Sequence, residues 1–367
     1  MSIDIGIIGL AKSGRTTIFN ALSKSKADIR SYISEAAHIG VVRIPDHRLK
    51  KLAALLRPES VVSAEVKYLD LGAQVKSLTQ DTAISGRYLS QLSNADALLD
   101  IVRAFTDASI PHTESSVDAE RDIAAMDLEL VFSDLALLER RLEKAKISLK
   151  GARQTERQSL LHEQELLLTV KAELEKDTPI RELNLTAEQT RTVTAYQFLS
   201  AKPLLTVANI GEDQLGDEAK ALEDKLTQCF AKANHRIITL CGKLEIELAE
   251  LDESTAEGFR AEFGLTEPGL ERTIKLSYEL LGQISFFTTA SDEVKAWSIK
   301  RGTPALKAAG KIHSDMERGF IRAEVVSFDD LTKCGSLAEA RKHGLLRLEG
   351  KNYIVQDGDV ITFLFNV

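Results

Sequence analysis

The chain reads as an α/β protein: a parallel sheet flanked by helices, a long helical hairpin inserted into it, and a smaller α+β module at the end. Three observations predict this. Apolar strand-like runs alternate with helix-like segments over residues 1–110 and resume at 204. Between residues 117 and 176 there is no proline and no glycine except Gly151. From Gly282 onward, short strand-like runs crowd together. Strands alternating with helices imply parallel pairing, because a parallel partner needs a crossover.

The elements follow in order. Ile3–Ile8 is an apolar run of the kind a buried strand shows, and 17–22 reads as the start of a helix. Glu65–Asp70 and 97–102 are the next strand candidates, followed after the hairpin by 204–208 and 236–240. Leu128, Val131, Leu135, Leu138, Leu142, Ala145 and Leu149 recur at alternating spacings of three and four, and Leu160, Leu167, Val170 and Leu174 continue the seam beyond Gly151. That pattern predicts two antiparallel helices, either as an ordinary packed hairpin or as a coiled coil with a dedicated partner. In the last module, 284–288, 324–326, 353–355 and 360–365 are predicted strands, with Asp357-Gly358-Asp359 as a turn. The predicted division is 1–115 with 200–281 as one domain, 116–199 as the insertion, and 282–367 as the final domain.

The 367 residues are 44% hydrophobic and 28% charged, which places the chain among globular proteins. The net charge of −8 argues against nucleic acid or anionic membrane as a partner of the whole surface. No apolar run approaches the roughly 20 residues of a membrane helix. Asp4 and Gly9 interrupt the first apolar run, so a strand is expected there and not a signal peptide. Cys229, Cys241 and Cys334 are scattered and form neither a disulfide framework nor a zinc pattern. A cytoplasmic location without membrane attachment is the expectation.

Residues 9–16 carry the phosphate-binding loop pattern G-x4-G-K-[ST] with Arg15 in place of lysine. Such a loop points backbone N–H groups at one spot, and the helix that follows adds positive potential. Residues Lys12, Ser13, Gly14, Arg15, Thr16 and Thr17 are therefore the candidate phosphate binders. Thr16 is the expected Mg²⁺ ligand with bound nucleotide, or simply a helix-capping threonine. Arginine keeps the charge but is longer and planar, so the swap is not conservative. Asp70, closing its strand, reads as the metal-side acid or as a plain strand-terminal aspartate. A D-x-x-G switch would need glycine where Ala73 stands, after Gly72, and an added methyl obstructs close approach. Asn209-Ile210-Gly211-Glu212 follows a strand and is the base-reading candidate through Asn209, Ile210 and Glu212, with Cys241-Gly242-Lys243 as a second base-side loop.

These residues resemble the YchF/Obg-like ATPase family, a branch of translation-factor-related P-loop NTPases. The match covers almost the whole length: residues 40–49, 118–123, the N-x-x-E of 209–212, and 284–288, 296–299, 312–324 and 348–360. The resemblance implies a P-loop NTPase sheet with an inserted coiled-coil hairpin and a C-terminal ubiquitin-like β-grasp (TGS) domain. It implies a monomer that binds ATP or GTP with Mg²⁺ and engages the ribosome or its rRNA through the TGS-like domain and the insertion. The family's switch I threonine aligns with Ser34, a third candidate metal ligand, and Gln74 is the candidate for orienting the attacking water. The chain departs from the family at Arg15, Ala73, Gln74 and Asp100, the last standing where a histidine is usual. Enzyme activity is thus left open between slow ATP or GTP hydrolysis and an inactive interaction module.

Between Glu293 and Asp315 no acid occurs, while Lys295, Lys300, Arg301, Lys307 and Lys311 do. This strip reads as an RNA face or as a solvated one, and Trp297 within it as core or as a base-stacking residue.

Overall fold

The computed structural model describes residues 3–23, 38–71, 91–112, 116–265, 267–290 and 292–366. The chain divides into two compact units, one of Asp4–Gly40 and Tyr68–Leu270, the other of Met1–Ile3, Val41–Lys67 and Glu271–Val367.

One six-stranded sheet has the order β2-β4-β1-β5-β6-β7, with β5, β6 and β7 wholly in the larger unit. Its strands are β1 Ile3–Ile8, β2 His38–Arg43, β4 Glu65–Asp70, β5 Ala97–Arg103, β6 Leu204–Asn209 and β7 His235–Leu240. Strands β1, β5, β6 and β7 pair in parallel. Every residue of β5 and β6 is buried, as expected of central parallel strands covered on both faces. The chain leaves β1 toward β4 and leaves β5 toward β6, so the strand order reverses between β1 and β5. In open α/β sheets, ligands bind at the carboxyl ends of the strands beside that reversal. Helix α1, Arg15–Ser23, starts there directly after the glycine loop.

The insertion has α3 Ala119–Gly151 and α4 Gln154–Leu174. Asp118 caps α3 by accepting from Arg121 N, and Glu120 and Asp122 in the first turn suit the helix dipole. Val131, Leu138 and Leu142 pack with Leu167, Val170 and Leu174, which is part of the predicted seam, and with Phe198; Ala145, Leu149 and Leu160 are not buried. The buried seam stops at Leu142 and Leu166, so the remaining turns of both helices project without a core. Buried Asp134 accepts from Leu199 N at 2.8 Å and Ser200 N at 2.7 Å, anchoring α3 to the chain entering β6. Burial outweighs those bonds and pushes its carboxyl up to about 6.

The smaller unit holds a mixed sheet of order β11-β10-β12-β8-β9-β3. Its strands are β3 Ser60–Val62, β8 Gln283–Ala290, β9 Glu293–Lys300, β10 Phe320–Ser327, β11 Arg347–Glu349 and β12 Asp359–Phe365. Helix α10, Ala305–Ile312, lays Ala305, Ala308 and Ala309 on Phe286, Val325 and Ile361. The predicted strand at 353–355 is not a strand. Its backbone is used elsewhere: Ala305 N donates to Tyr353 O, and Val355 N to Thr303 O, so the segment crosses the start of α10. Val355 is buried, which explains the strand-like apolar run. Trp297 is partly buried, lies against Phe286, and donates its indole N–H to Thr288 Oγ1 at 2.9 Å, so core is the better account of it.

Candidate functional site

The loop after β1 takes its shape from three left-handed or glycine-only backbone positions: Gly9 at φ 147°, Lys12 at φ 66° and Gly14 at φ 92°. Gly9 is pressed against β5; a Cβ there would lie 2.4 Å from Ile101 O and 3.2 Å from Arg15 Cγ. Arg15 therefore folds back across the loop, and only 6% of it is exposed. Ser13 is buried too, and its Oγ has no hydrogen-bond partner among the described residues. A buried, unanswered hydroxyl beside a buried cation is a suitable lining for an anion. Lys12 is exposed, and its Nζ donates to Pro111 O at 3.2 Å in the segment that follows β5. Its ammonium is thus committed away from Arg15's position. Thr16 and Thr17, in the first turn of α1, are half-buried.

Asn209 ties the loop to the base-side loops. Its Nδ2 donates to Ser13 O at 3.0 Å and its Oδ1 accepts from Gly242 N at 3.0 Å, with 4% of the residue exposed. The Gly242 contact was not foreseen, though the Cys241-Gly242-Lys243 loop had been singled out. Glycine suits that position because a Cβ would meet Ile18 Cγ1 at 2.9 Å. Helix α7, Gly242–Ala249, begins there. Lys243 Nζ donates to Glu212 Oε2 at 3.2 Å across the rim of the two loops. Ile210 is turned into the core, and its N–H is spent on Leu240 O, so it presents neither group to a base.

Asp70 ends β4 with 2% exposure. Ser34 and Gln74, with Gly72 and Ala73, lie outside the described residues. Thr16 and Asp70 offer the hard oxygen donors that Mg²⁺ prefers. Among the described residues no group of three or more His, Cys, Asp or Glu could hold a metal.

Asp100, which departs from the family pattern in the sequence, proves to be a buried acid. It sits in mid-β5, beside Ile8 of β1 and Thr206 of β6, and is 1% exposed. Along the same face Leu98 packs with Met126 and Leu130, and Val102 with Ala119 and Ile123. Asp100 thus lies beneath α3, between two apolar patches. Neither of its oxygens has a hydrogen-bond partner among the described residues. Burial drives its carboxyl well above the usual aspartate range; Asp127 and Asp122 push the same way, and Arg181 and Arg15 partly oppose them. Arg181, itself buried, pairs with Asp127. The sequence marks Asp100 as a departure but not the polar layer of carboxylates and arginine that surrounds it.

A pH experiment tests it. Below the ordinary aspartate range Asp100 is neutral whether folded or not. As pH rises, the unfolded chain ionises while the folded chain resists, so its contribution to stability is lost. Asp100→Asn abolishes that loss. The variant's urea midpoint is expected to gain on the native chain's as pH rises from about 3.5 to about 8. A pH-independent offset would contradict the assignment.

A family model described as "YchF-GTPase_C: Protein of unknown function (DUF933)" matches residues 283–366. The "Ribosome-binding ATPase YchF" of Bacillus subtilis (strain 168) is 38% identical over 370 residues, covering 100% of both chains. The protein of that name from Escherichia coli O157:H7 is 34% identical over 369 residues, again with 100% of both covered. The solved Schizosaccharomyces pombe YchF GTPase superposes with a TM-score of 0.86 at 28% identity, over 99% of this chain and 98% of that one.

Proposed function

Because the chain belongs to the YchF family, we propose that it is a cytoplasmic, monomeric, ribosome-associated protein that binds ATP, GTP or both at the loop of residues 9–17. The observation that carries this reading is the buried Asn209 clamp between the phosphate loop and the base-side loops. Two buried hydrogen bonds tie the phosphate half of a nucleotide site to its base half, and such preorganisation lowers the ordering cost of binding. Backbone N–H groups of residues 12–17 hold the phosphates, Arg15 supplies the cation, and Glu212 with Asn209 faces the base. Mg²⁺, entering with the nucleotide at Thr16, Asp70 and Ser34, would neutralise phosphate charge during slow hydrolysis, with Gln74 orienting the water. In this reading residues 1–115 and 200–281 form the nucleotide domain, and the insertion at 116–199 and the TGS-like domain at 282–367 engage the ribosome.

Calorimetric titration with ATP, GTP and their diphosphates, with and without Mg²⁺, tests it; no heat with any of them rejects it. Hydrolysis above background that is lost in Thr16→Ala marks an enzyme. A second reading, an inactive member that serves as an interaction module, is favoured by Arg15. The residue is only 6% exposed, so a longer, planar cation is packed into a loop that the pattern builds around an ammonium stem. Arg15→Lys is expected to tighten ATP binding by about tenfold, the equivalent of ~1.4 kcal/mol. Unchanged affinity would count against Arg15 as the weak point.

A further inference from the structure

We propose that Lys243 sets base choice in the nucleotide site: beside Glu212 it supplies the donor that admits adenine alongside guanine. The inference rests on the nucleotide-binding reading and names a residue behind its specificity.

The fold brings the two side chains together. Asn209 and Leu240 are partners at the ends of β6 and β7, so the loops that follow leave the sheet side by side. The bond from Gly242 N to Asn209 Oδ1 fixes one loop against the other. The neighbouring polar groups are already engaged. Asn209 uses its amide on Ser13 O and Gly242 N, Ile210 N donates to Leu240 O, and Gly211 N donates to Gln214 Oε1 at 2.8 Å. The Glu212–Lys243 pair keeps capacity to spare. A lysine ammonium has three donors and a carboxylate about four acceptor sites, and the pair uses one of each at 3.2 Å. The Lys243 and Glu212 side chains are 69% and 40% exposed, so a ligand can reach both.

Stability does not account for Lys243. An exposed ion pair contributes little to it. Lys243 stands in the first turn of α7, where the helix dipole disfavours a cation. Its other acid, Glu247, is 4.0 Å away at the i,i+4 spacing, and lysine ahead of glutamate is the weaker order on a helix. The bond to Glu212, with the charges of Glu212 and Glu247, holds the ammonium above the ordinary lysine range, so it stays a donor at neutral pH.

The two purines differ in what they show such a pair. Guanine presents N1–H and N2–H₂ side by side, two donors that a carboxylate alone can accept. Adenine presents one donor, N6–H₂, beside the bare acceptor N1. A lone carboxylate would take the first and set its own lone pairs against the second, and sites discriminate most strongly where a polar group is left unanswered. With the ammonium next to the carboxylate, Lys243 donates to adenine N1 while Glu212 accepts from N6. The same ammonium can meet guanine O6, so guanine keeps its place.

The test titrates the full chain and Lys243→Met calorimetrically with ATP, GTP and 1-deaza-ATP, in which C–H replaces N1. Lys243→Met is expected to lower ATP affinity about tenfold or more and GTP affinity by about threefold at most. Its urea midpoint should match the native one, since the side chain is exposed. The native chain should bind 1-deaza-ATP about tenfold more weakly than ATP, and Lys243→Met should bind the two alike. Lys243→Arg keeps a donor and should restore the native ratio of ATP to GTP affinity. Equal losses for ATP and GTP in Lys243→Met, or a native chain that binds 1-deaza-ATP as well as ATP, would overturn the proposal and leave nucleotide binding standing. A native chain that gives no heat with any of the three removes the nucleotide reading itself, and this proposal with it.

Discussion

Gly9→Ala is expected to lower the stability of the loop-bearing unit by about 3 kcal/mol and to remove measurable ATP binding. The two costs are independent. At φ 147° an alanine is confined to a backbone region that is essentially glycine-only. Its methyl would also lie 2.4 Å from Ile101 O, 3.0 Å from Ser13 Oγ and 3.2 Å from Arg15 Cγ. Ile101 belongs to a fully buried central strand, so its carbonyl has little room to withdraw. Relief would have to come from the loop, which displaces Ser13 and Arg15 together. Urea unfolding and ATP calorimetry read the two effects. Gly151→Ala is the control: no atom lies within 4 Å of its added Cβ, at the end of α3, and its midpoint should hold or rise slightly. Equal midpoints for the two variants would refute the account of Gly9.

Asn209→Ala should cost about 2–4 kcal/mol, because two buried hydrogen bonds go and their partners, Ser13 O and Gly242 N–H, are left without Asn209. ATP affinity should fall by about a hundredfold, as the loop and the base-side strands lose their link. Asn209→Asp separates the two halves of the clamp. It can still accept from Gly242 N but sets a carboxylate against Ser13 O, so it should bind ATP no better than the alanine variant. Near-native binding by Asn209→Asp would mean that the bond to Ser13 is dispensable.

The legible strands of the first sheet were those that carry an apolar run. β1 and β4 stand where the apolar runs place them, and β5, β6 and β7 differ from them by a residue at an end. The edge strand β2 was not anticipated, because only Gly40 and Val42 of its six residues are buried. At 353–355 hydrophobicity reported burial correctly but could not report hydrogen-bonding direction, and there the two part company. In the site, Arg15 was recognisable as a departure from a loop pattern. Asp100 was recognisable only as an odd residue in a strand, since the carboxylates and arginine around it come from α3 and from the segment before β6.

Local order, then, is what the sequence by itself determined: a strand–glycine loop–helix unit, a glycine-free hairpin, and the residue types at the phosphate and base ends. Those features depend on neighbours a few positions away, through backbone sterics and the 2.0 and 3.6 periodicities. Only the tertiary structure decided that Asn209 closes the loop onto Gly242, that Lys12 is spent on Pro111, and that Arg15 shares its surroundings with a buried Asp100. Each depends on groups tens to hundreds of positions apart being brought within a few ångströms. Burial then magnifies their electrostatics, because the water that would screen them is gone.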